Sequence, residues 1–267
     1  MRLARAALLV VLVVALLPRP AAAGIADRVA ATFALMANDF VAAFKPIEGL
    51  VVSAEGREIF LDVTEAAGAQ IGQEYTIYRK GEAFQHPLTG RTLGHYETVL
   101  GYAQVIRVYP NFVAANFIAA PEAPAPRSAD GARITRARIR VAVAPTLDLT
   151  TTRADLRRVP FMIAAALEGS KRFLATDPLA VSDMFASGSV RVEEMLARPE
   201  RAVRAARNLE VGGWVVSMLI ERRGVTYLDV TYISAITGNA LFSRRLPLVA
   251  PNATEDQRFP WEPRPED

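Results

Sequence analysis

The chain has 267 residues, of which 31 are Lys or Arg, 28 are Asp or Glu, 51% are hydrophobic and none is cysteine. That composition excludes a disordered protein and a disulfide-held scaffold, and leaves an ordinary globular chain held together by packing. It also argues against a nucleic-acid partner: without Arg2, Arg5 and Arg19 at the N-terminus, the balance is 28 against 28 and no basic surplus remains.

Arg2 and Arg5 precede an uncharged apolar run from Ala6 to Leu17, and Pro18, Arg19 and Pro20 break it before Ala21-Ala22-Ala23. This is the charged, apolar and small-residue order of a secretory signal, so residues 1–23 are expected to be removed before Gly24 and the remainder to reside in the periplasm. Retention as an anchor is the alternative, although the run is shorter than the roughly 18–20 residues a bilayer-spanning helix needs. After cleavage no integral membrane span is expected, and a lipid anchor through cysteine is excluded for want of one.

From Ile25 to Phe44 the apolar residues Ile25, Val29, Phe33, Met36, Phe40, Val41 and Phe44 recur at steps of three and four, which predicts an amphipathic helix ending at Lys45-Pro46. Beyond it the period changes to two. Short strands are predicted over Ile47 to Val52, Glu58 to Val63, Tyr75 to Arg79, Thr92 to Tyr109 with breaks at Gly94 and Gly101, and Phe112 to Ile118. Gly56, Gly68, Gly72, Gly81 and the Pro87-Leu88-Thr89-Gly90 turn supply the tight positions such strands require, and none forms a phosphate-cradling loop. Helix and strands together are assigned to one unit over 24–118. Its aromatics Tyr75, Tyr78, Phe84, Tyr96, Tyr102, Tyr109 and Phe112 are expected to fill a barrel interior.

Gly72-x-x-Tyr75-x-Ile77-Tyr78-Arg79-x-Gly81, followed by His86-Pro87-x-Thr89-Gly90-x-x-Leu93-Gly94-x-x-Glu97, resembles the C-terminal domain of flagellar assembly protein T. The resemblance implies a small β-barrel that serves assembly around the flagellar motor and carries no catalytic residues.

Ala119 to Pro126 is rich in Pro and Ala, and with Arg127-Ser128-Ala129-Asp130-Gly131 it reads as a stiff linker over 119–137. A second unit over 138–248 opens with Ile139, Val141 and Val143 alternating against Arg138 and Arg140. A helix is predicted from Pro160 to Gly169, Asp177-Pro178 starts another, and helical segments run from Val190 to Leu209. Val211 to Ile220 reads as a strand buried on both faces, and Val225 to Ser234 pairs with Asn239 to Leu246 around Thr237-Gly238-Asn239. Arg244 and Arg245 suit an edge strand. Residues 249–267 carry Pro251, Pro260, Pro263 and Pro265 among charges and read as an unstructured tail, with Phe259-Pro260-Trp261 a candidate docking tag.

Within the second unit, Ala166-Leu167-x-x-Ser170-x-Arg172-Phe173-x-x-x-Asp177, then Ala206-x-Asn208-Leu209-x-Val211-Gly212, then Leu228-x-Val230 to Thr237-Gly238, resemble the N-terminal domain of the translocation protein TolB and the periplasmic part of the curli secretion protein. The expected fold is therefore α+β: a small all-β barrel with an N-terminal helix, linked to an α/β sandwich of order β-α-α-β-β-β.

No constellation of residues carries chemistry. His86 and His95 lie at or beside a hairpin turn with no nucleophile context, and two histidines without cysteine do not build the usual zinc site. Glu193-Glu194 and Asp62 with Glu65 are assigned to solvated faces, because neighbours in sequence do not face each other across a cleft. Arg133, Arg136, Arg138 and Arg140 could grip phosphate or wall carboxylates, but read first as the outer face of a strand. No catalytic, cofactor or metal residue is assigned. The reading is an exported, non-enzymatic assembly or scaffolding factor whose partners are envelope proteins of flagellar, Tol-like or outer-membrane type. The alternative is a binding module for peptidoglycan or an envelope lipoprotein.

Overall fold

The computed structural model describes residues 24–151, 153–188 and 190–249, so the expected signal and nearly all of the expected tail lie outside the described residues. Helix α1 (Ile25–Ala43) starts where the Asp27 carboxylate accepts from the Gly24 amide at 3.1 Å and stops at Phe44, ahead of Pro46. Its stripe of Val29, Phe33, Met36 and Phe40 is fully buried.

Strands β1 (Ile47–Glu55), β2 (Glu58–Leu61), β3 (Glu74–Gln85), β4 (Thr92–Val108), β5 (Val113–Ala119) and β6 (Gly131–Ile134) close into a barrel in the order β1-β2-β5-β4-β3-β6. Alternate residues such as Ile59 and Leu61, Tyr75 and Ile77, and Ala103 and Val105 point inward, as the pleat of a strand requires. The interior is mainly aliphatic, which corrects the expectation for the aromatics. Tyr75 joins the barrel core, whereas Phe84 and Tyr96 are exposed and Tyr109 stacks on Phe112 outside, 4.4 Å between rings. A barrel this small has room for aliphatic side chains and for few rings.

The stretch read as a linker is also corrected. It contains β6, which pairs with both β1 and β3 and so completes the barrel. The Pro/Ala segment before it lies against the barrel wall: the Ala125 carbonyl accepts from Arg79 at 3.0 Å, and the Ala129 amide donates to Val51 at 2.9 Å.

The second unit comprises β7 (Ile139–Val143), β8 (Leu147–Leu149), α2 (Val159–Gly169), β9 (Phe173–Ala175), α3 (Pro178–Ala186), α4 (Val192–Ala197), α5 (Pro199–Ala206), β10 (Gly213–Arg222), β11 (Val225–Ser234) and β12 (Ala240–Pro247). Its sheet runs β12-β11-β10-β7-β9, with β8 pairing further along β10; β7 is parallel to both neighbours and β10 to β12 are antiparallel. Val141, Val143 and Val215 face one layer of helices, while Ala142, Ala144, Trp214 and Val216 face the other. Burial on both sides is why β10 is apolar at nearly every position. Strand β12 is an edge, and its Arg244 and Arg245 pair with Asp39 and Asp229.

Helix α1 belongs to this second unit. Its buried stripe packs with Val141, Ile163, Val215 and Leu228, in the same layer as α2, and not on the barrel that follows it in sequence. Periodicity shows that a helix face must be covered but not by what. The barrel is thus inserted between the first helix and first strand of a three-layer α/β/α sandwich.

Candidate docking surfaces

Strands β3 and β4 pair from Glu74 opposite Gln104 out to Gln85 opposite Thr92. Their other neighbours stop early: β6 reaches β3 only over Thr76–Tyr78, and β5 meets β4 only from Gly101 onward. Between Arg79 and Thr98 the two strands therefore leave the barrel as a ribbon, both edges without a strand partner among the described residues. Its tip is built by His86, whose Nδ1 accepts from the amides of Leu88 and Thr89 at 3.2 and 3.3 Å. The ribbon presents apolar side chains to solvent: Phe84 is 47% exposed, Leu88 89%, Leu93 47% and Tyr96 61%. The Phe84 and Tyr96 rings meet edge to face, 5.6 Å apart.

A lone two-stranded ribbon is marginally stable in water, and this one is braced at its root. Arg79 clasps Asp130 through Nε at 2.8 Å and Nη2 at 2.7 Å. Burial alone would raise the Asp130 carboxyl, but the Arg79 guanidinium and the Arg127 amide outweigh it and hold the group below its ordinary value. On β6, Arg133 clasps Glu97 at 3.0 and 2.6 Å while its guanidinium lies 4.2 Å over the Tyr78 ring. Such paired, planar contacts fix direction as well as position. The arrangement is a stiff-based arm with an apolar tip and open strand edges, suited to holding another protein.

A second surface lies at the end of β7. From β7 the chain runs on into β8 alongside β10, then crosses to β9 on the other side of β7 before it returns to β10, and in open α/β sheets the crevice at such a reversal is where ligands bind. A groove of about 590 Å³ occupies that place, between the start of α2 and the outer side of α3.

The junction of the two units is polar. Glu74 of β3 accepts from Thr237 Oγ1 at 2.7 Å and Ser234 Oγ at 3.0 Å, and burial pushes its carboxyl up despite both hydroxyls. Asn239 Nδ2 donates to Gln104 Oε1 at 3.1 Å beside them.

The residues singled out in the sequence do not converge. His95 Nδ1 contacts the Gly81 carbonyl at 3.1 Å along the ribbon, apart from His86 at the tip. Arg133 is spent on Glu97, Arg136 pairs with Glu48, Arg138 donates to the Phe173 carbonyl, and Arg140 pairs with Glu210. Glu194 faces Arg201 at 3.8 Å, and Asp62 accepts from the Leu50 amide. Among the described residues no three His, Asp or Glu cluster as a metal site would need, and no helix is long and apolar enough to cross a membrane. Sequence reasoning missed the arm, because from Lys80 to Gln85 both faces of the strand are exposed and no apolar alternation marks it.

No family model matches the chain, and no curated protein matches it. Among solved structures it is similar to the LpoB C-terminal domain from Escherichia coli, with 15% identity, 43% of this chain and 85% of that chain covered, and a TM-score of 0.36. The solution structure of E. coli LpoB gives 15% identity, 42% and 56% coverage, and 0.36. Lipoprotein GNA1162 from Neisseria meningitidis gives 13% identity, 41% and 78% coverage, and 0.33. These structures lend no support to the resemblances to flagellar assembly protein T and TolB. Each covers less than half of this chain, at a TM-score below 0.5.

Proposed function

We propose that the chain is an exported, non-enzymatic module of the cell envelope that acts by binding another envelope protein, and that the β3–β4 arm is its docking element. The carrying observation is the arm itself: a braced ribbon that leaves the barrel with Phe84, Leu88, Leu93 and Tyr96 exposed and both backbone edges open. A folded protein, a lipoprotein included, can answer both features at once, with an apolar pocket for the tip and a strand for the edge. A glycan strand could stack on Tyr96 but would leave the aliphatic tip in water. The charge pattern before Gly24 supports export.

The test is photo-crosslinking in cells from probes placed at Leu88 and Leu93. The expected result is one discrete envelope protein captured from both positions and lost when Phe84→Ser and Tyr96→Ser are combined, with the fold unchanged. Purified protein that sediments with protein-free sacculi whether or not the arm is altered, or that turns over peptidoglycan, nucleotide or ester substrates, would overturn the reading.

A further inference from the structure

The layer formed by α3, α4 and α5 covers only the half of its side of the sheet that lies nearer the barrel. There Trp214 and Val216 of β10 and Ile233 of β11 are buried beneath it. The strands run on past these helices, and because residues paired across a sheet share a face, their side chains continue in level rows. The first row is Leu147, Met218, Asp229 and Arg245, in which Arg245 neutralises the buried Asp229. The next, Leu149, Ile220, Tyr227 and Pro247, carries no charge at all. The last is Arg222 opposite Val225.

Leu147 touches the edge of the helical layer, and among the described residues nothing covers the other apolar side chains of these rows. Leu149 is 57% exposed and Val225 43%, and Ile220 and Tyr227 are only partly buried although they stand on the two central strands of the group. A sheet with an apolar face buries it against a further layer. We propose that this layer is completed by an amphipathic helix of another protein, laid across the open rows beside α3, α4 and α5, with acidic side chains flanking its apolar stripe.

The size of the opening selects the helix. Four strands span about 14 Å and three rows about 13 Å, which is the length of two to three helical turns and about the width of one helix with its side chains. The footprint, on the order of 200 Å², is far below the roughly 800 Å² that each partner gives to a stable interface between folded bodies, so the face does not fit a second copy of the chain.

The rim selects the charge. Arg222 and Arg223 border the rows, and a hollow of about 660 Å³ lies between them and Val225 and Tyr227. A two-residue turn fixes where they stand, Arg223 and Gly224 both having positive φ, 51° and 76°. The acids nearby are engaged elsewhere: Glu221 points to the opposite face and accepts from Thr151 Oγ1 at 2.6 Å, and Asp229 is held by Arg245. Two arginines without an ion-pair partner among the described residues, set at the edge of an apolar face, favour a helix with acids at its margin and oppose one with bases there. The surface is independent of the β3–β4 arm, which belongs to the barrel.

The test measures, by fluorescence anisotropy, binding of the chain from Gly24 to Asp267 to two labelled helical peptides of about four turns, alike in a leucine stripe and differing only in whether Glu or Lys flanks it. The Glu peptide is expected to bind about tenfold more tightly, as two exposed ion pairs allow. Leu149→Ser combined with Val225→Ser, both at exposed positions, should abolish binding, whereas Phe84→Ser with Tyr96→Ser in the arm should leave it unchanged. Arg222→Glu with Arg223→Asp keeps the apolar rows intact and should reverse the preference between the peptides. Failure of the Glu peptide to bind, equal binding of both peptides, or binding that survives both changes to the face would overturn the proposal. So would binding that appears only when the chain is shortened to end at Val249, which would make its own tail the occupant. A dimer dissociated by the Leu149 and Val225 changes would assign the face to a second copy, and capture of phosphatidylglycerol vesicles lost with the same pair would assign it to lipid; either result overturns the proposal.

Discussion

The Nε of Arg172, in the turn between α2 and β9, donates to the carbonyl of Phe44 at 2.7 Å across 128 positions of sequence. Phe44 is where the chain leaves α1 for the barrel. The same guanidinium donates from Nη1 to Ala137 and from Nη2 to Thr135, both at 2.7 Å, where the chain returns from the barrel to β7. One planar fork of donors therefore ties the outgoing and incoming connections of the inserted barrel to the sandwich. Burial depresses the pKa of this cation, yet carbonyl dipoles on three of its nitrogens compensate for the water it has lost.

Arg172→Met removes the donors and leaves the buried Phe44 carbonyl facing a thioether, while the carbonyls of the exposed residues Thr135 and Ala137 can turn to water. At about 1–3 kcal/mol for a buried polar group left unsatisfied, a loss of about 2 kcal/mol is expected. Arg172→Lys, with a single ammonium unable to span three carbonyls, should recover only part of it. Urea unfolding of the three proteins measures this, and proteolysis of the native state should open first between Thr135 and Arg138. A Met variant within about 0.5 kcal/mol of the parent, as for an ordinary surface change, would show that the clamp is ornamental.

Glu74 makes the junction sensitive to pH. Burial raises its carboxyl above the ordinary 4.5, and the hydroxyls of Thr237 and Ser234 offset this only in part. Tyr102 and Tyr232 also face it, and both phenols are pushed up, first by burial and then by the Glu74 charge. Because the folded state holds this proton more tightly than the unfolded chain, its contribution is fully present below pH 4.5 and is lost as pH rises through the raised value. Glu74→Gln keeps a hydrogen-bonding amide without the titration. Its stability relative to the parent should therefore increase from pH 5 to pH 8, and urea midpoints at the two values would show it. A difference that stays constant with pH would remove Glu74 from the account.

What the residues disclosed in advance was whatever repeats locally. The stripe Val29, Phe33, Met36, Phe40 and the nearly all-apolar run of β10 were readable because burial of one face or two leaves its mark in the sequence, and the α+β architecture followed from them. The partner of α1 left no such mark, since the same stripe would suit a barrel or a sheet. Strand β6 is four residues behind a Pro/Ala segment, and β9 is three, each too short to show alternation. Gly81 looked like a turn and so ended β3 at Arg79. In the ribbon it sits at an irregularity of the β3–β4 register between Lys80 and Ala83, and an added Cβ there would meet Tyr96 only at ordinary contact distance. The Arg172 clamp joins residues that no local window contains.

Gly72 tests the seam from the barrel side. Its φ of +91° is one that side chains rarely adopt, and an added Cβ would come within 3.0 Å of the Leu241 carbonyl oxygen on β12. Gly90 at the arm tip has φ +67° but open space around it. Gly72→Ala should cost about 3 kcal/mol, conformational strain plus a backbone clash, whereas Gly90→Ala should cost about 1 kcal/mol from strain alone. Thermal unfolding distinguishes them, and equal losses would mean that the contact with Leu241 yields freely.

The bracing of the arm predicts a local effect larger than the global one. Arg133 and Glu97 are each about a third exposed, with 33% and 28% of their side-chain surfaces open, so screening limits what their pairing adds to overall stability. With the Tyr78 face contact included, Arg133→Ala should lower global stability by about 1 kcal/mol. Among the described residues no other strand lies beside the ribbon it steadies, so amides between Lys80 and Thr98 should exchange several-fold faster in the variant while those of Ile59, Leu61 and Val105 in the barrel hold their rates. Hydrogen exchange read by mass spectrometry resolves the two regions. If the barrel amides accelerate as much as those of the ribbon, Arg133 holds the barrel closed and does not brace the arm, and the stiffness argued for the docking element would have to come from Arg79 and Asp130 alone.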